Sequence, residues 1–354
     1  FACPATLPIM PDSDANENAA VTSPDIQQHE TTMETGNTAS PGWPLHFLVF
    51  SFNRGEFLAH CINSIQRCAP GCAITIHDDN SSDTQTQQIL AELAGLDKNI
   101  TVVQPPADSM DSKHGGLYGN MQRACAAVAD DVLICTLQDD MQLVRPLQRN
   151  ELDQWLALYQ SGQHHGFLQP AFLKSLGKKI SVDDVHYDSN KQVYTVNRSQ
   201  RSAGAWYSDV FMIPARLLRE HDWQFATRES GNEQQARQHF DQMGYLRNPF
   251  VAWLPGAPAW RGKRRTLAMK LAERTRRCGF YPLQIMSADQ SAAFCARDPG
   301  QLPIAETWLS LAPMENGSQS VSLEQPWFYY PLQDQRALKL ANRVELALGK
   351  LIGR

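Results

Sequence analysis

The run Leu45–Phe52 (LHFLVFSF) is apolar at almost every position, as expected of a strand buried on both faces. Phe57, Leu58, Cys61, Ile62 and Ile65 then recur at helical spacing and predict a helix over 55–68. Ala73–His77 reads as a second strand, ending in the acidic turn Asp78-Asp79-Asn80-Ser81-Ser82-Asp83. Asp83 is placed to cap a helix that carries Ile89, Leu90 and Leu93. Ile100–Val103 predicts a third strand, and Leu117, Met121, Cys125 and Val128 another helix. Asp131–Leu137 predicts a fourth strand that runs into Gln138-Asp139-Asp140. This alternation predicts an α/β fold, a mostly parallel sheet flanked by helices.

The later half is less regular. Gly166–Leu173, Val193–Val196 and Trp206–Ile213 read as strands, and Glu233–Met243 as a short helix. Residues 333–354 form an amphipathic segment. Its Leu338, Leu340, Val344, Leu346, Leu348 and Leu351 lie among basic residues, which reads as a packing or oligomer helix. Residues 1–42 lack periodicity and are rich in Pro, Ser, Thr, Asn and Asp. They read as a disordered acidic tail.

Composition narrows the class. With 354 residues, 42% hydrophobic and 19% charged, the chain is of ordinary globular make-up. Its net charge of −5 argues against a nucleic-acid partner. No apolar run approaches the roughly 20 residues of a membrane-spanning helix. No basic-then-apolar segment opens the chain, so no secretory signal is expected. The eight cysteines form no CxxC pair and are expected to be reduced core residues of a cytoplasmic protein. Arg261-Gly262-Lys263-Arg264-Arg265 opens a segment with eight basic residues against one acid up to Arg277. It is a candidate for a loop closing over phosphates, or for peripheral docking of 261–277 at the inner face of a membrane.

In an open α/β sheet, ligands sit beyond the carboxyl ends of the strands. Three polar clusters fall there: Ser51-Phe52-Asn53-Arg54, His77-Asp78-Asp79-Asn80-Ser81 and Gln138-Asp139-Asp140. Adjacent carboxylates repel, so an acidic pair after a buried strand awaits a cation. No GxGxxG follows the first strand, which disfavours a dinucleotide-dependent oxidoreductase.

These residues resemble the GT-A-fold glycosyltransferases of family 2, which use nucleotide-sugar donors. Four stretches carry the resemblance over roughly residues 45–250: Phe50–Arg54, Ile76–Thr84, His114–Asn120 with its Gly115-Gly116 pair, and Leu137–Asp140. It implies a Rossmann-like GT-A domain over 43–255, with a nucleotide-sugar-binding half (45–145) and a mixed acceptor and catalytic half (146–255). A basic, helical extension over 256–354 completes the chain.

The resemblance also implies roles. Asp79, or its neighbour Asp78, accepts the ring N–H of a uracil base, with Ser81 in the same turn. Ser51, Asn53 and Arg54 lie at the ribose and diphosphate, where the alternative for Asn53 and Arg54 is to cap the following helix. Gly115, Gly116 and Asn120 form a glycine-rich helix start that approaches the donor closely. Asp140, with Asp139, holds a divalent metal, Mn²⁺ or Mg²⁺, on the diphosphate, and Asp139 also faces the donor. Gln138 stands where the family's metal motif usually has its first Asp, and Gly119 where an Arg often precedes the Asn. An acid opening a helix downstream is the base in inverting members. Glu233 matches it, and Glu229 is the alternative. The implied activity is inverting transfer of a sugar from a UDP-sugar to a saccharide or lipid-linked glycan acceptor, as in polysaccharide biosynthesis. A non-catalytic nucleotide-sugar-binding protein and a nucleotidyltransferase are the competing readings.

Overall fold

The computed structural model describes residues 43–104, 116–174, 184–196, 204–258, 265–313, 331–332 and 334–351. Its first half follows the apolar pattern closely. Strand β1 (Leu45–Ser51) is buried almost throughout and runs into helix α1 (Gly55–Cys68). The helical repeat Phe57, Leu58, Cys61, Ile62, Ile65 all turns inward. Strand β2 (Ala73–Asp78) leads to α2 (Thr84–Leu96), whose N-terminus is capped by Asp83 accepting from Thr86 N–H at 2.9 Å. Strand β3 (Ile100–Val103), helix α3 (Leu117–Ala126) and strand β4 (Leu133–Gln138) complete the alternating part.

These strands form one edge of a nine-stranded sheet, in the order β3-β2-β1-β4. All four are parallel. Their register sets the site. Ser51 pairs with Asp78 across β1 and β2, and Phe50 pairs with Gln138 across β1 and β4. Three strands therefore end level with one another, and their polar tails emerge at one place.

Beyond β4 the sheet becomes mixed. Strand β5 (Met141–Leu143) and helix α4 (Arg149–Gln160) lead to short strands β6 (Leu168–Gln169), β7 (Val185–Asp188), β8 (Val193–Val196) and β9 (Met212–Pro214). Strand β9 is antiparallel to β4, pairing Met212 with Cys135. After α5 (Ala215–Glu220) and α6 (Glu229–His239), β10 (Gly244–Leu246) completes the order β4-β9-β6-β10-β8-β7. Strand β11 (Val251–Trp253) pairs with β5 in a separate two-stranded ladder.

Three expectations are corrected here. The strands expected over 166–173 and 206–213 shrink to Leu168–Gln169 and Met212–Pro214. The reason for the second lies in α6. The Glu233 carboxylate takes the N–H groups of Gly204, Trp206 and Tyr207, so those amides do not join a ladder. The helix expected from Glu233 begins instead at Glu229, placing Glu233 more than one turn inside it.

The core beneath the mixed half is aromatic. Phe167 meets Tyr207, Phe211, Trp223 and Phe240 edge-on at 4.8–5.3 Å between ring centres. A second fixed point is polar. Arg145 is fully buried and grips Glu151 with both Nη atoms, at 2.9 and 2.6 Å, while also donating to Pro249 O. Glu151 in turn closes the capping box of α4 with Gln148. The pair thus ties α4 to the chain entering β11.

The elements after residue 256 are α7 (Leu267–Thr275), α8 (Ala288–Ala296), α9 (Ala305–Trp308) and α10 (Arg336–Leu351). Leu283, Phe294, Ala305 and Leu309 build a small core with Phe57, Val144 and Phe172. The seven cysteines among the described residues are free, five of them buried. Burial holds the Cys68 thiol up at about 11 and that of Cys72 at about 12, so both stay protonated and packed. No helix among the described residues is long and apolar enough to cross a membrane.

Candidate active site

At the carboxyl ends of β1, β2 and β4 the chain packs three turns against one another. The Ser51 carbonyl accepts Asp79 N–H at 2.9 Å, and the Phe50 carbonyl accepts Asp139 N–H at 3.0 Å. The two acidic motifs are thereby hung from the end of β1. Asn53 sits at φ +50°, a left-handed conformation that asparagine tolerates. Its side-chain oxygen accepts from Ser82 and Asp83 N–H at 2.8 and 3.0 Å, while its own N–H donates to Ser81 Oγ at 2.8 Å. Asn53 therefore braces the β2–α2 turn. Gly55 N–H donates to Thr86 Oγ1, and a Cβ at Gly55 would lie 2.8 Å from Thr86 Cα, so only glycine lets the two helix starts meet.

The two acids of the second cluster divide their work. Asp78 is fully buried, and Ser81 donates to both its oxygens, from Oγ at 2.5 Å and from N–H at 2.8 Å. Burial raises its pKa despite those bonds. Asp79 remains partly open. Its Oδ2 accepts Gly116 N–H at 2.7 Å, and its Oδ1 lies 3.4 Å from Asn120 Nδ2. A Cβ on Gly116 would collide with Asp79 Oδ1, so glycine is required for this close approach. Arg123 donates to Asn120 Oδ1 at 2.5 Å, bringing a cation to the same helix start. Gly115 lies outside the described residues.

The third cluster is bound to the first through Arg54. Its Nη2 lies 2.5 Å from Asp139 Oδ1, and its Nη1 donates to Asp140 Oδ2 at 2.8 Å. The guanidinium thus spans the acidic pair and provides no side-chain cap for α1. Asp139 also accepts Phe52 N–H at 3.2 Å, with the Ser51 hydroxyl beside it. Burial pushes Asp139 up to about 6, against the pull of Arg54. Asp140 Oδ1 is buried and has no hydrogen-bond partner. A carboxylate oxygen free of N–H and O–H donors fits a cation. Among the described residues, however, no three His, Cys, Asp or Glu groups converge as a complete metal site. The residues therefore fit one divalent ion held by Asp140 and Asp139 whose remaining positions are filled from outside the protein.

Two residues not singled out from sequence stand near these clusters. Asp209 lies where the chain approaches β9. Its carbonyl accepts from Thr136 Oγ1 at 2.9 Å, and its Oδ2 accepts from Tyr118 O–H at 3.3 Å. The buried Tyr207 hydroxyl lies against the same carboxyl, and burial pushes that carboxyl up to about 6, against the pull of the two tyrosines. Tyr118 belongs to the same helix start as Gly116 and Asn120, so Asp209 faces the Asp79 side. Lys174 is buried, with its Nζ 4.6 Å above the Trp253 ring and the Asp140 and Glu306 charges nearby. Burial lowers its pKa to about 7, against the pull of those two acids. Both stand in irregular segments, where spacing gives no signal. An acid two residues before the apolar Phe211–Ile213 run was the only hint for Asp209.

The acids expected as the base stand differently from one another. Glu233 is buried, takes three backbone amides, and lies 3.4 Å from Arg237, whose guanidinium stacks 4.2 Å from the Trp206 ring. Its carboxylate oxygens are already occupied by donors. Glu229 is exposed in the first turn of α6, and its charge acts on Tyr118 and Tyr207. Asn232 bonds Ala226 N–H at 2.7 Å from inside the helix and does not cap it.

Residues 47–146 match the family model described as glycosyl transferase family 2. That stretch holds β1 through β5 and all three strand-end clusters. No curated protein matches the sequence. Among solved structures, the chain is similar to Staphylococcus aureus TarS 1–349 at 15% identity and a TM-score of 0.42, covering 59% of this chain and 60% of that one. The same protein in complex with UDP aligns at 16% identity and a TM-score of 0.40, covering 59% of each chain. A mannosyltransferase from Pyrobaculum calidifontis, in complex with GDP-Man and Mn²⁺, aligns at 10% identity and a TM-score of 0.39, covering 65% of this chain and 60% of that one. The chain thus spans about three-fifths of the length of these structures. Likenesses this loose transfer no role to any residue.

Proposed function

We propose that this chain is a glycosyltransferase that moves a sugar from a nucleotide-sugar donor, a UDP-sugar, to a hydroxyl of a saccharide or glycoconjugate acceptor. The observation that carries the reading is the level ending of β1, β2 and β4 within the family 2 segment. It gathers Ser51, Arg54, Asp79, Asp139 and Asp140 in one mouth. The transferase domain in this reading is 43–255, with 256–354 as an extension packed on it.

Asp79 would accept the ring N–H of the base, because Asp78 is fully engaged in its turn. The Gly116 helix start would lie against the donor. Asp140 and Asp139 would hold a divalent ion together with the donor phosphates. When bound, such an ion neutralises the departing nucleoside diphosphate. Arg54 keeps the acid pair from repelling itself and sets the two carboxylates apart. Lys174, whose pKa burial lowers to about 7, stands on the Asp140 side.

Transfer with inversion needs one base. The acceptor oxygen bonds to the anomeric carbon as that carbon's bond to the diphosphate oxygen breaks, and the hydroxyl proton passes to a carboxylate. Asp209 is our candidate, a carboxyl set between Tyr118 and Tyr207 with a raised pKa. Glu229 is the neighbouring alternative, and Glu233 serves to anchor the 204–207 turn. Incubating the chain with UDP- and GDP-sugars and Mn²⁺ tests the whole reading. Donor-dependent release of nucleoside diphosphate, lost in Asp79→Asn and in Asp209→Asn, is the expected result. Nucleotide binding with no turnover for any donor would instead make the chain a binding module.

A further inference from the structure

The surface that carries a further inference lies on the last helices, away from the three strand-end clusters. Helices α7 and α10 run antiparallel. Glu345 of α10 accepts the N–H groups of Leu267 and Ala268 at 2.6 and 2.9 Å, closing the start of α7. Thr266 Oγ1 bonds Asn342 Oδ1 at 2.5 Å. Met269, Ala272 and Leu332 are buried together, with Leu338 packed against them. These contacts use one face of each helix.

The other faces are apolar and open. Leu267 is 74% exposed, Leu340 63%, and Leu271, Val344 and Leu348 are each 50% exposed. Six of the eight large hydrophobic residues exposed among the described residues lie on this helix pair. At 3.6 residues per turn, Ala337, Leu340, Ala341, Val344, Ala347 and Leu348 share an arc of about 120° on α10. Arg336, Lys339 and Arg343 line one edge of that arc, and Lys270 and Arg274 flank Leu267 and Leu271 on α7. The two acids of the pair are engaged. Glu345 caps α7, and buried Glu273 pairs with Arg265. On α10 the apolar stripe therefore has three bases along one edge, while Glu345 at the other edge is engaged by the α7 amides.

We propose that the apolar face of α10 docks in the plane of an anionic lipid bilayer. An apolar stripe bordered by exposed Arg and Lys matches the acyl boundary below and the phosphate headgroups beside it. A second copy of the chain related by a twofold axis would set basic edges against each other. Helix α10, with 16 residues, is too short to span a bilayer and lies along it. This inference does not depend on the sugar-transfer reading.

The test is flotation of the full chain with vesicles of phosphatidylcholine alone or mixed with phosphatidylglycerol. The expected result is binding to the mixed vesicles, weakened by salt, with little binding to the neutral ones. Replacing Arg336, Lys339 and Arg343 by Gln should lower the partition coefficient roughly a hundredfold, taking each base as about fivefold. Leu340→Ser with Val344→Ser should also reduce binding while leaving the circular dichroism spectrum and melting temperature unchanged, because both side chains are exposed. Three results would overturn the proposal: no binding to anionic vesicles, binding insensitive to both variants, or a dimer in sedimentation that Val344→Ser dissociates.

Discussion

Arg54 donates to Asp140 Oδ2 at 2.8 Å while the other oxygen of the same carboxylate is buried with no hydrogen-bond partner. One side chain thus meets a fixed cation and keeps a second lone-pair face vacant. The arrangement favours an ion that arrives with its own ligands over one bound tightly beforehand. Calorimetric titration of Mn²⁺ should accordingly give a weak signal with the chain alone and a strong one with UDP present. Asp140→Ala should remove the UDP-dependent component. Equal metal binding in both proteins would reject Asp140 as the ligand.

Asp79 contacts the start of α3 and remains partly open, unlike Asp78. Asp79→Asn keeps the shape but mixes donor with acceptor. UDP affinity should fall by about 1–3 kcal/mol, the range for a polar group left unsatisfied. The measurement is the dissociation constant by calorimetry, and an unchanged value would reject the contact.

If Asp209 is the base, rate and stability should respond to pH in opposite directions. Burial lifts its folded-state pKa to about 6, above the usual carboxylate range, so the folded chain holds this proton more tightly than the unfolded chain. The stabilisation from the neutral form is present below about pH 4 and is lost as pH rises through about 6. Turnover should do the opposite, rising through about pH 6 as the base ionises. Asp209→Asn should lower turnover roughly 10²–10⁴-fold while the melting temperature at neutral pH holds or rises. Loss of turnover together with a lower melting temperature would mark a structural role instead.

Glu233→Gln should be felt in stability first. The carboxylate holds three amides and Arg237, and an amide cannot accept at both ends. We expect a loss of about 2 kcal/mol in denaturant unfolding, with donor affinity retained. Normal stability with abolished turnover would return the base role to Glu233.

Arg145→Met leaves the Glu151 carboxylate buried without its partner. Breaking such a pair costs about 3–5 kcal/mol, whereas replacing both partners together is often close to neutral. Urea unfolding of Arg145→Met and of Arg145→Met with Glu151→Met should therefore show the double variant as the more stable. Additive losses would show that the pair does not act as a unit.

The first half of the fold was legible in sequence because its strands are buried on both faces and its helices on one. Leu45–Phe52 and Phe57–Ile65 can be read with no tertiary information. The strand-end acids followed, since polar residues after a buried parallel strand have few other places to go. What spacing could not give is which acid faces inward. Asp78 and Asp79 look alike in sequence, and only the Ser81 turn separates them. The mixed half was misread for a related reason. Trp206–Ile213 has strand-like composition, but the amides of Trp206 and Tyr207 bind a helix-borne carboxylate. Lys174 and Asp209 become functional candidates only through contacts with Trp253, Tyr118 and Thr136, all distant along the chain.

The pairing of Leu45 with Leu133, and of Phe50 with Gln138, has a kinetic consequence. Contacts between positions so far apart in sequence close late in folding, since the intervening loop entropy must first be overcome. The acid pair after β4 meets Arg54 only once β1 and β4 are zipped together. A chain caught with β1 and β2 joined but β4 unplaced would hold the Asp78-Asp79 turn without the Asp139-Asp140 pair. Under the proposed function, nucleotide affinity would then serve as a clock for folding, since it would need the central strand to have both neighbours.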